Sequence, residues 1–203
     1  MSKDQKITIV GPGKVGTALQ AGLSRAGYEV RTAKRGQIVP TASWADVIIL
    51  AAPFRAVPEV VRELGEAANG KIVVDVTNPL TPDFQLAIGF ATSGGEELQK
   101  SLPHAKVVKA FNTVFAQHMS TGRVNDKVLT TFVAGDDAAA RTAVLAMAGA
   151  IGFDAVDGGP LTNARYLEPL AFLNIQLSWV LGNGPNVGFK FVHQNGHETG
   201  ASK

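Results

Sequence analysis

A chain of 203 residues, 45% of them hydrophobic, is long enough to bury a full core, and one domain with a modest extension is the expectation. Nineteen basic against seventeen acidic residues leave a net charge of only +2. That excludes the concentrated basic face of a nucleic-acid binder and leaves small molecules as the expected partners. With no cysteine, a disulfide framework, a thiol nucleophile and a zinc-thiolate site are excluded together.

The start, Met1 to Lys6, runs straight into the first strand, so no signal peptide is expected. The longest apolar runs, such as Ala143 to Ile151, fall short of the roughly 18 to 20 residues a membrane span needs. The expectation is a soluble cytoplasmic protein without a membrane partner.

Lys6 to Val10 reads as a short buried strand, followed by Gly11-Pro12-Gly13-Lys14-Val15-Gly16 and a helix from Thr17. A strand, a G-x-G-x-x-G turn and a helix form the phosphate-cradling opening of a dinucleotide-binding fold. Gly11 permits the tight turn, Gly13 lets the backbone approach a pyrophosphate, and Gly16 lets the helix lie close on the strand. The helix start supplies free N–H groups to the phosphates. Lys14 opposes the helix dipole, which a bound phosphate would explain; a solvated lysine is the other reading.

Gly27 stops this helix before a second strand, Tyr28 to Thr32, which turns at Ala33-Lys34-Arg35-Gly36. An acid at that turn grips the ribose 2′-OH of NAD, whereas a basic residue accommodates a 2′-phosphate. No acid stands between Val30 and Trp44, so Lys34 and Arg35 favour NADP(H), Arg35 through its planar fork and Lys34 as a point charge.

Thr41 to Ala45 reads as a one-turn helix, and Asp46 to Pro53 as a strand buried on both faces, as in a parallel sheet. The small residues Ala51 and Ala52 before Pro53 would let an adenosine or ribose lie across the backbone, or simply pack a loop. A helix from Glu59 to Ala68 precedes the strand Lys71 to Val76, which empties into Thr77-Asn78-Pro79. Asn78 then sits beyond a strand's carboxyl end, where a nicotinamide would pass, although Asn before Pro also suits a plain turn. Thr81 to Gly95 is irregular and reads as a flap or partner surface.

A helix from Glu96 to Leu102 and a strand from Ala105 to Phe111, ending at Asn112, come next. A strand from Thr130 to Gly135, a helix from Asp137 capped by Asp136 or Asp137, a strand from Phe153 to Asp157 and a long apolar helix from Asn163 to Leu181 complete the pattern. The fold class is therefore α/β, a Rossmann-type doubly wound, mostly parallel sheet over residues 1–160, with a C-terminal helix and tail over 161–203 packed on the same domain. Because that last helix is apolar nearly all round, it is expected to pack on its own sheet and on a partner in a homodimer.

Val107 to Val114, with the sequence VVKAFNTV, and Ala164 to Leu170, with ARYLEPL, carry a resemblance to the F420-dependent NADP oxidoreductases and to the cytosolic domain of STEAP-type metalloreductases. It extends over nearly the whole chain, to Phe191. The resemblance implies NADP(H) as cofactor and hydride transfer to a flavin or to the deazaflavin F420. It also implies that Pro12-Gly13-Lys14-Val15 hold the pyrophosphate and that Thr32, Lys34 and Arg35 lie at the 2′-phosphate end. Ala51, Ala52 and Pro53, then Asn78 and Pro79, then Ala110, Phe111 and Asn112 would line the adenosine, ribose and nicotinamide. Lys34 stands where a hydroxyl residue is usual in that family.

Direct hydride transfer needs stacking and distance more than acid–base groups, and no catalytic acid or base is assigned. Asn78 and Asn112 are the candidates for orienting the nicotinamide. No metal site is assigned: His104, His118, His193 and His197 lack metal spacing on a helix, and His118 could touch an acceptor or merely pack. Two alternatives stay open, a non-catalytic NADP(H)-binding or sensing module and a reductase of another small acceptor.

Overall fold

In the computed structural model, which describes residues 4–192, strands alternate their side chains between two helical layers. The strands are β1 (Lys6–Val10), β2 (Glu29–Ala33), β3 (Val47–Leu50), β4 (Ile72–Asp75), β5 (Lys106–Lys109), β6 (Arg123–Val124), β7 (Lys127–Val128), β8 (Thr130–Gly135) and β9 (Asp154–Asp157). Seven of them form one sheet in the order β2-β1-β3-β4-β5-β8-β9, while β6 and β7 make a small separate hairpin. The pairs from β2 to β5 are all parallel, β8 runs antiparallel to β5, and β9 is parallel to β8.

The helices are α1 (Lys14–Arg25), α2 (Ile38–Trp44), α3 (Val57–Leu64), α4 (Gly94–Ser101), α5 (Ala116–Met119), α6 (Ala138–Ile151) and α7 (Ala164–Ile175). Ile7 and Ile9 of β1, with Val47 and Ile49 of β3, bury against Leu19 and Leu23 of α1 and the apolar face of α6. Their neighbours Val10, Ile48 and Leu50 point the other way, onto Ile38 of α2, Val60 and Leu64 of α3 and Leu98 of α4. This period of two, with both faces covered, is why the strands read as unbroken apolar runs. Each fully buried Leu or Ile contributes about 1.5–3 kcal/mol relative to exposure.

The chain leaves β2 on one side of β1 and returns on the other as β3, which makes the gap between β1 and β3 the switch point of the sheet. Ligands of open parallel sheets bind in the crevice outside the strands' carboxyl ends at such a point. Among the described residues no helix is long and apolar enough to cross a membrane.

Several boundaries differ from the sequence reading; the helix expected from Glu59 to Ala68, for one, is α3 followed by a 3-10 turn at Gly65–Ala68. The helix expected from Glu96 begins at Gly94, because Ser93 accepts from the Glu96 N–H as an N-cap and Glu96 in turn accepts from the Ser93 hydroxyl. The irregular segment is correspondingly shorter, and the buried Gly94 and Gly95 belong to the helix. The one-turn helix at Thr41 to Ala45 is seven residues long, with Pro40 in its first turns. The last helix is not a single α-helix: a 3-10 turn at Leu161–Asn163 leads into α7, which widens into a π-helical turn at Gln176–Val180.

Candidate functional site

The glycine turn is built as its spacing requires. Gly11 has φ +113°, and a Cβ there would lie 2.6 Å from the Ala51 carbonyl oxygen; one at Gly16 would lie 2.0 Å from the oxygen of Gly11. Both glycines are therefore fixed by backbone packing. Gly13 differs, since a Cβ on it would meet nothing within 4 Å. Its openness faces outward, which suits close approach of a ligand. Gly13 is also the N-cap of α1 and offers no side-chain acceptor, whereas α4 and α6 are capped by Ser93 and Asp137. The first N–H groups of α1 are left for a ligand or water. Lys14 beside them is exposed, with no ion pair among the described residues, and Val15 packs into the core.

The Gly11 N–H donates to the Ala33 carbonyl at 3.0 Å, tying the turn to the end of β2. Between them opens a cavity of about 160 Å³ with a floor of Val10, Ala33, Ile38, Ala52 and Val60 and a rim of Lys34, Arg35, Glu59 and Glu63. The structure thus brings Gly11, Pro12, Lys34, Arg35 and Ala52 together around one hollow. It also adds two acids absent from the sequence reading. Glu59 accepts from Arg35 at 2.5 Å, and Glu63 accepts from the N–H groups of Gly36 and Ile38 at 2.8 and 3.3 Å. Both come from α3, one turn apart on the same face. Thr32 does not line this cavity: Ala33 lies on the floor, so its neighbour in the strand points to the opposite face of the sheet.

A second centre lies at the carboxyl ends of β4 and β5. Asp75 and Lys109 are register partners on these adjacent strands, and both face the α4 side. The Lys109 ammonium is fully buried, 2.9 Å from Asp75 Oδ2 and 2.8 Å from Glu168 Oε1 of α7, and it donates to the Thr77 carbonyl at 2.6 Å. Burial pushes the ammonium pKa down, but the two carboxylates more than offset this and hold it above the ordinary lysine value. Glu168 also accepts from the N–H groups of Gly94 and Gly95 at 2.9 and 3.2 Å, which closes the N-terminus of α4.

One residue beyond Thr77, the Asn78 amide donates to the Asn112 carbonyl at 2.9 Å, and the Asn112 amide donates to Asn78 Oδ1 at 3.0 Å and to the Leu167 carbonyl at 2.9 Å. The turn that presents Asn112 is strained, with Phe111 at φ +61°. Asn174 of α7 donates to the Thr113 carbonyl at 3.0 Å and clamps the same turn. The two candidate asparagines are therefore brought together, with Asn112 buried and its amide hydrogens committed to protein acceptors, while Asn78 is half-exposed.

The side chains of Ala110 and Phe111 are turned away from solvent. Both are in the core, Phe111 edge-on to Phe153 at 5.7 Å, so only their backbone can meet a ligand. Pro79 is buried, and its carbonyl accepts from Ala87 at 2.7 Å, anchoring the irregular segment. Pro53 is exposed ahead of the 3-10 turn at Phe54–Ala56. His118 is buried in α5 with its Nε2 3.2 Å from the Pro185 carbonyl, a packing role. His193 and His197 lie outside the described residues.

Glu59, Glu63, Asp75, Lys109 and Glu168 carry no role in the sequence reading. The available signal was positional: an acid closing one apolar strand, a lysine closing the next, and a glutamate inside an apolar helix.

The profile of the family described as NADP oxidoreductase, coenzyme F420-dependent, matches residues 36–79. Over 140 residues the chain is 32% identical to the F420-dependent NADP reductase of Methanocaldococcus jannaschii, covering 66% of this chain and 62% of that one. Over 132 residues it is 33% identical to metalloreductase STEAP3 of Rattus norvegicus, covering 65% of this chain and 26% of that protein. The chain thus spans about a quarter of the rat protein and less than two thirds of the Methanocaldococcus one. A crystal structure of a candidate F420-dependent NADP-reductase from Arthrobacter sp. FB24 superposes with a TM-score of 0.87 at 29% identity, over 93% of this chain and all of that one. An imine reductase from Myxococcus stipitatus in complex with NADP+ shares the fold at a TM-score of 0.64 and 14% identity.

Proposed function

We propose that this chain, a relative of the F420-dependent NADP oxidoreductases, is an NADP(H)-dependent oxidoreductase that passes hydride directly between the nicotinamide and a flavin- or deazaflavin-like acceptor. One observation carries the reading. The uncapped start of α1, the open side of Gly13 and the cavity rimmed by Lys34 and Arg35 lie together at the switch point of the sheet. The N–H groups after Gly13 would hold the pyrophosphate, Val10, Ala33 and Ala52 would carry the adenosine, and Lys34 and Arg35 would meet the 2′-phosphate.

Asn78 and the turn at Asn112, beyond the next strand ends, would receive the nicotinamide. When bound, NADPH supplies a hydride from C4, leaving NADP+, and the reduced acceptor takes any further proton it needs from solvent. The protein's part is positioning. Asn78 offers the amide contact, and Asn112 fixes Asn78 through the paired hydrogen bonds between them. Pro79 and Leu80 anchor the 79–93 segment, whose exposed Phe84 and Phe90 supply aromatic faces for a planar acceptor.

The test is transfer of deuterium from C4-labelled NADPH to F420, whose ring carbon C5 keeps the label; FMN, FAD and riboflavin, whose N5–H exchanges with water, and one-electron ferric chelates are compared by the rate of NADPH oxidation. Stereospecific label in the reduced acceptor is the expected result. Label found only in solvent, with product exchange excluded, contradicts direct transfer. NADPH binding without oxidation by any acceptor instead favours the sensing module.

The homodimer belongs to the same proposal. Tyr166, Leu173 and Val180 recur every seven residues along the last helix and are exposed, with Trp179 and Leu181 beside them. A second copy presenting the same stripe would cover it across a two-fold axis. A dimer by light scattering at micromolar concentration is expected, and a monomer there contradicts it.

A further inference from the structure

The buried cluster at the ends of β4 and β5 is unequal in charge. Each hydrogen bond that Asp75 and Glu168 receive comes from a donor: the Thr77 N–H and Lys109 for Asp75, the Gly94 and Gly95 N–H groups and Lys109 for Glu168. Such surroundings suit two acceptor-only carboxylates, since a protonated carboxyl would need an acceptor for its hydrogen. Two negative groups and one ammonium leave one excess negative charge. The N-terminus of α4, which Glu168 closes, offsets part of it. All three side chains are within 2% of full burial, so water screens the remainder poorly.

The place of this charge gives it a consequence. Lys109 holds the Thr77 carbonyl, and the next residue, Asn78, is half-exposed at the crevice and bonded to Asn112. The cluster is thus one layer beneath the surface on which the nicotinamide is read to lie. An oxidised nicotinamide ring is cationic and a reduced one is neutral, so a fixed negative field distinguishes them.

We propose that Asp75, Lys109 and Glu168 are positioning residues whose excess negative charge poises the bound cofactor as a hydride donor, by stabilising the oxidised ring relative to the reduced one. This rests on the reading of the crevice as an NADP(H) site with its nicotinamide at Asn78. A merely structural cluster would also fix the Thr77 turn, but it would affect both redox forms alike.

The experiment compares dissociation constants for NADP+ and NADPH, by calorimetry at fixed salt, in the unmodified protein, Glu168→Gln and Asp75→Asn, with circular dichroism to verify folding. Both substitutions keep the side chain's shape and remove one negative charge. The expected result is a rise of about three- to tenfold in the ratio Kd(NADP+)/Kd(NADPH) for each variant that folds. An unchanged ratio, with both affinities measurable, overturns the inference and leaves the site reading intact. If neither variant folds, the unmodified protein decides: NADP+ bound more tightly than NADPH is expected, and equal or weaker binding overturns the proposal. Absence of binding by either form in the unmodified protein would instead overturn the site reading itself.

Discussion

The two ends of the crevice both hold ion pairs, and they are built on opposite terms. At the glycine-turn end, Arg35 and Glu59 meet at 2.5 Å with 76% and 47% of their side chains exposed. At the far end, Lys109 lies between Asp75 and Glu168 with none of the three more than 2% exposed. An exposed pair contributes about 0–1 kcal/mol and can be exchanged for another partner, such as a phosphate. A buried group cannot be exchanged, because removing one member strands the others without water. The chain thus has an adjustable end and a fixed end, and the fixed end joins β4, β5, α4 and α7 into one frame.

The largest expected effect falls on the fixed end. Lys109→Met leaves two buried carboxylates facing each other, at a cost of about 3–5 kcal/mol by analogy with other broken buried pairs. Urea denaturation should show it as a large fall in midpoint, or the variant should fail to fold. A midpoint within error of the unmodified protein would mean that the cluster is not closed as described.

At the adjustable end the fold should barely respond and the ligand should. In the proposed site Glu59 would compete with a 2′-phosphate for Arg35, so Glu59→Gln is expected to tighten NADPH binding several-fold, on the order of one charge-assisted contact, and leave NADH binding unchanged. Equal changes for both cofactors would show that Glu59 acts on the adenosine rather than on the phosphate.

This contrast also separates what the sequence made legible. The glycine turn, the second-strand lysine and arginine, and the apolar strands are local patterns, and the structure keeps them together. The cavity floor at Val10, Ala33 and Ala52 follows from the same parallel pairing that made those runs readable. Glu59 was hidden because it reaches Arg35 only through the crossing of α3 over the sheet. Lys109 and Glu168 were hidden for a related reason: 59 positions separate them, and a charge in an apolar segment declares no partner until the topology supplies one. The burial of Ala110 and Phe111 was hidden too, because it depends on the sharp turn after β5, where Phe111 has φ +61° and its ring lies in the core.

A smaller effect lies where α7 meets α4. Arg165 grips Glu96 through two hydrogen bonds of 2.8 and 2.7 Å, and this guanidinium holds the Glu96 carboxyl below its ordinary value of 4.5. A depressed carboxyl stabilises the fold above its unfolded pKa and loses that contribution as pH falls through the folded one. Arg165→Gln should therefore melt lower than the unmodified protein near neutrality, by on the order of 2 °C, with the gap closing below about pH 4. A gap constant across that range would assign the difference to packing.

The most direct measurement is the affinity of the unmodified protein for NADPH against NADH, by calorimetry under one salt condition, with the Lys34→Ser/Arg35→Asp variant alongside. Two charge-assisted contacts to a 2′-phosphate predict a preference for NADPH on the order of 10² to 10⁴, mostly erased in the variant without loss of stability. Equal affinity of the unmodified protein for the two cofactors would contradict the account.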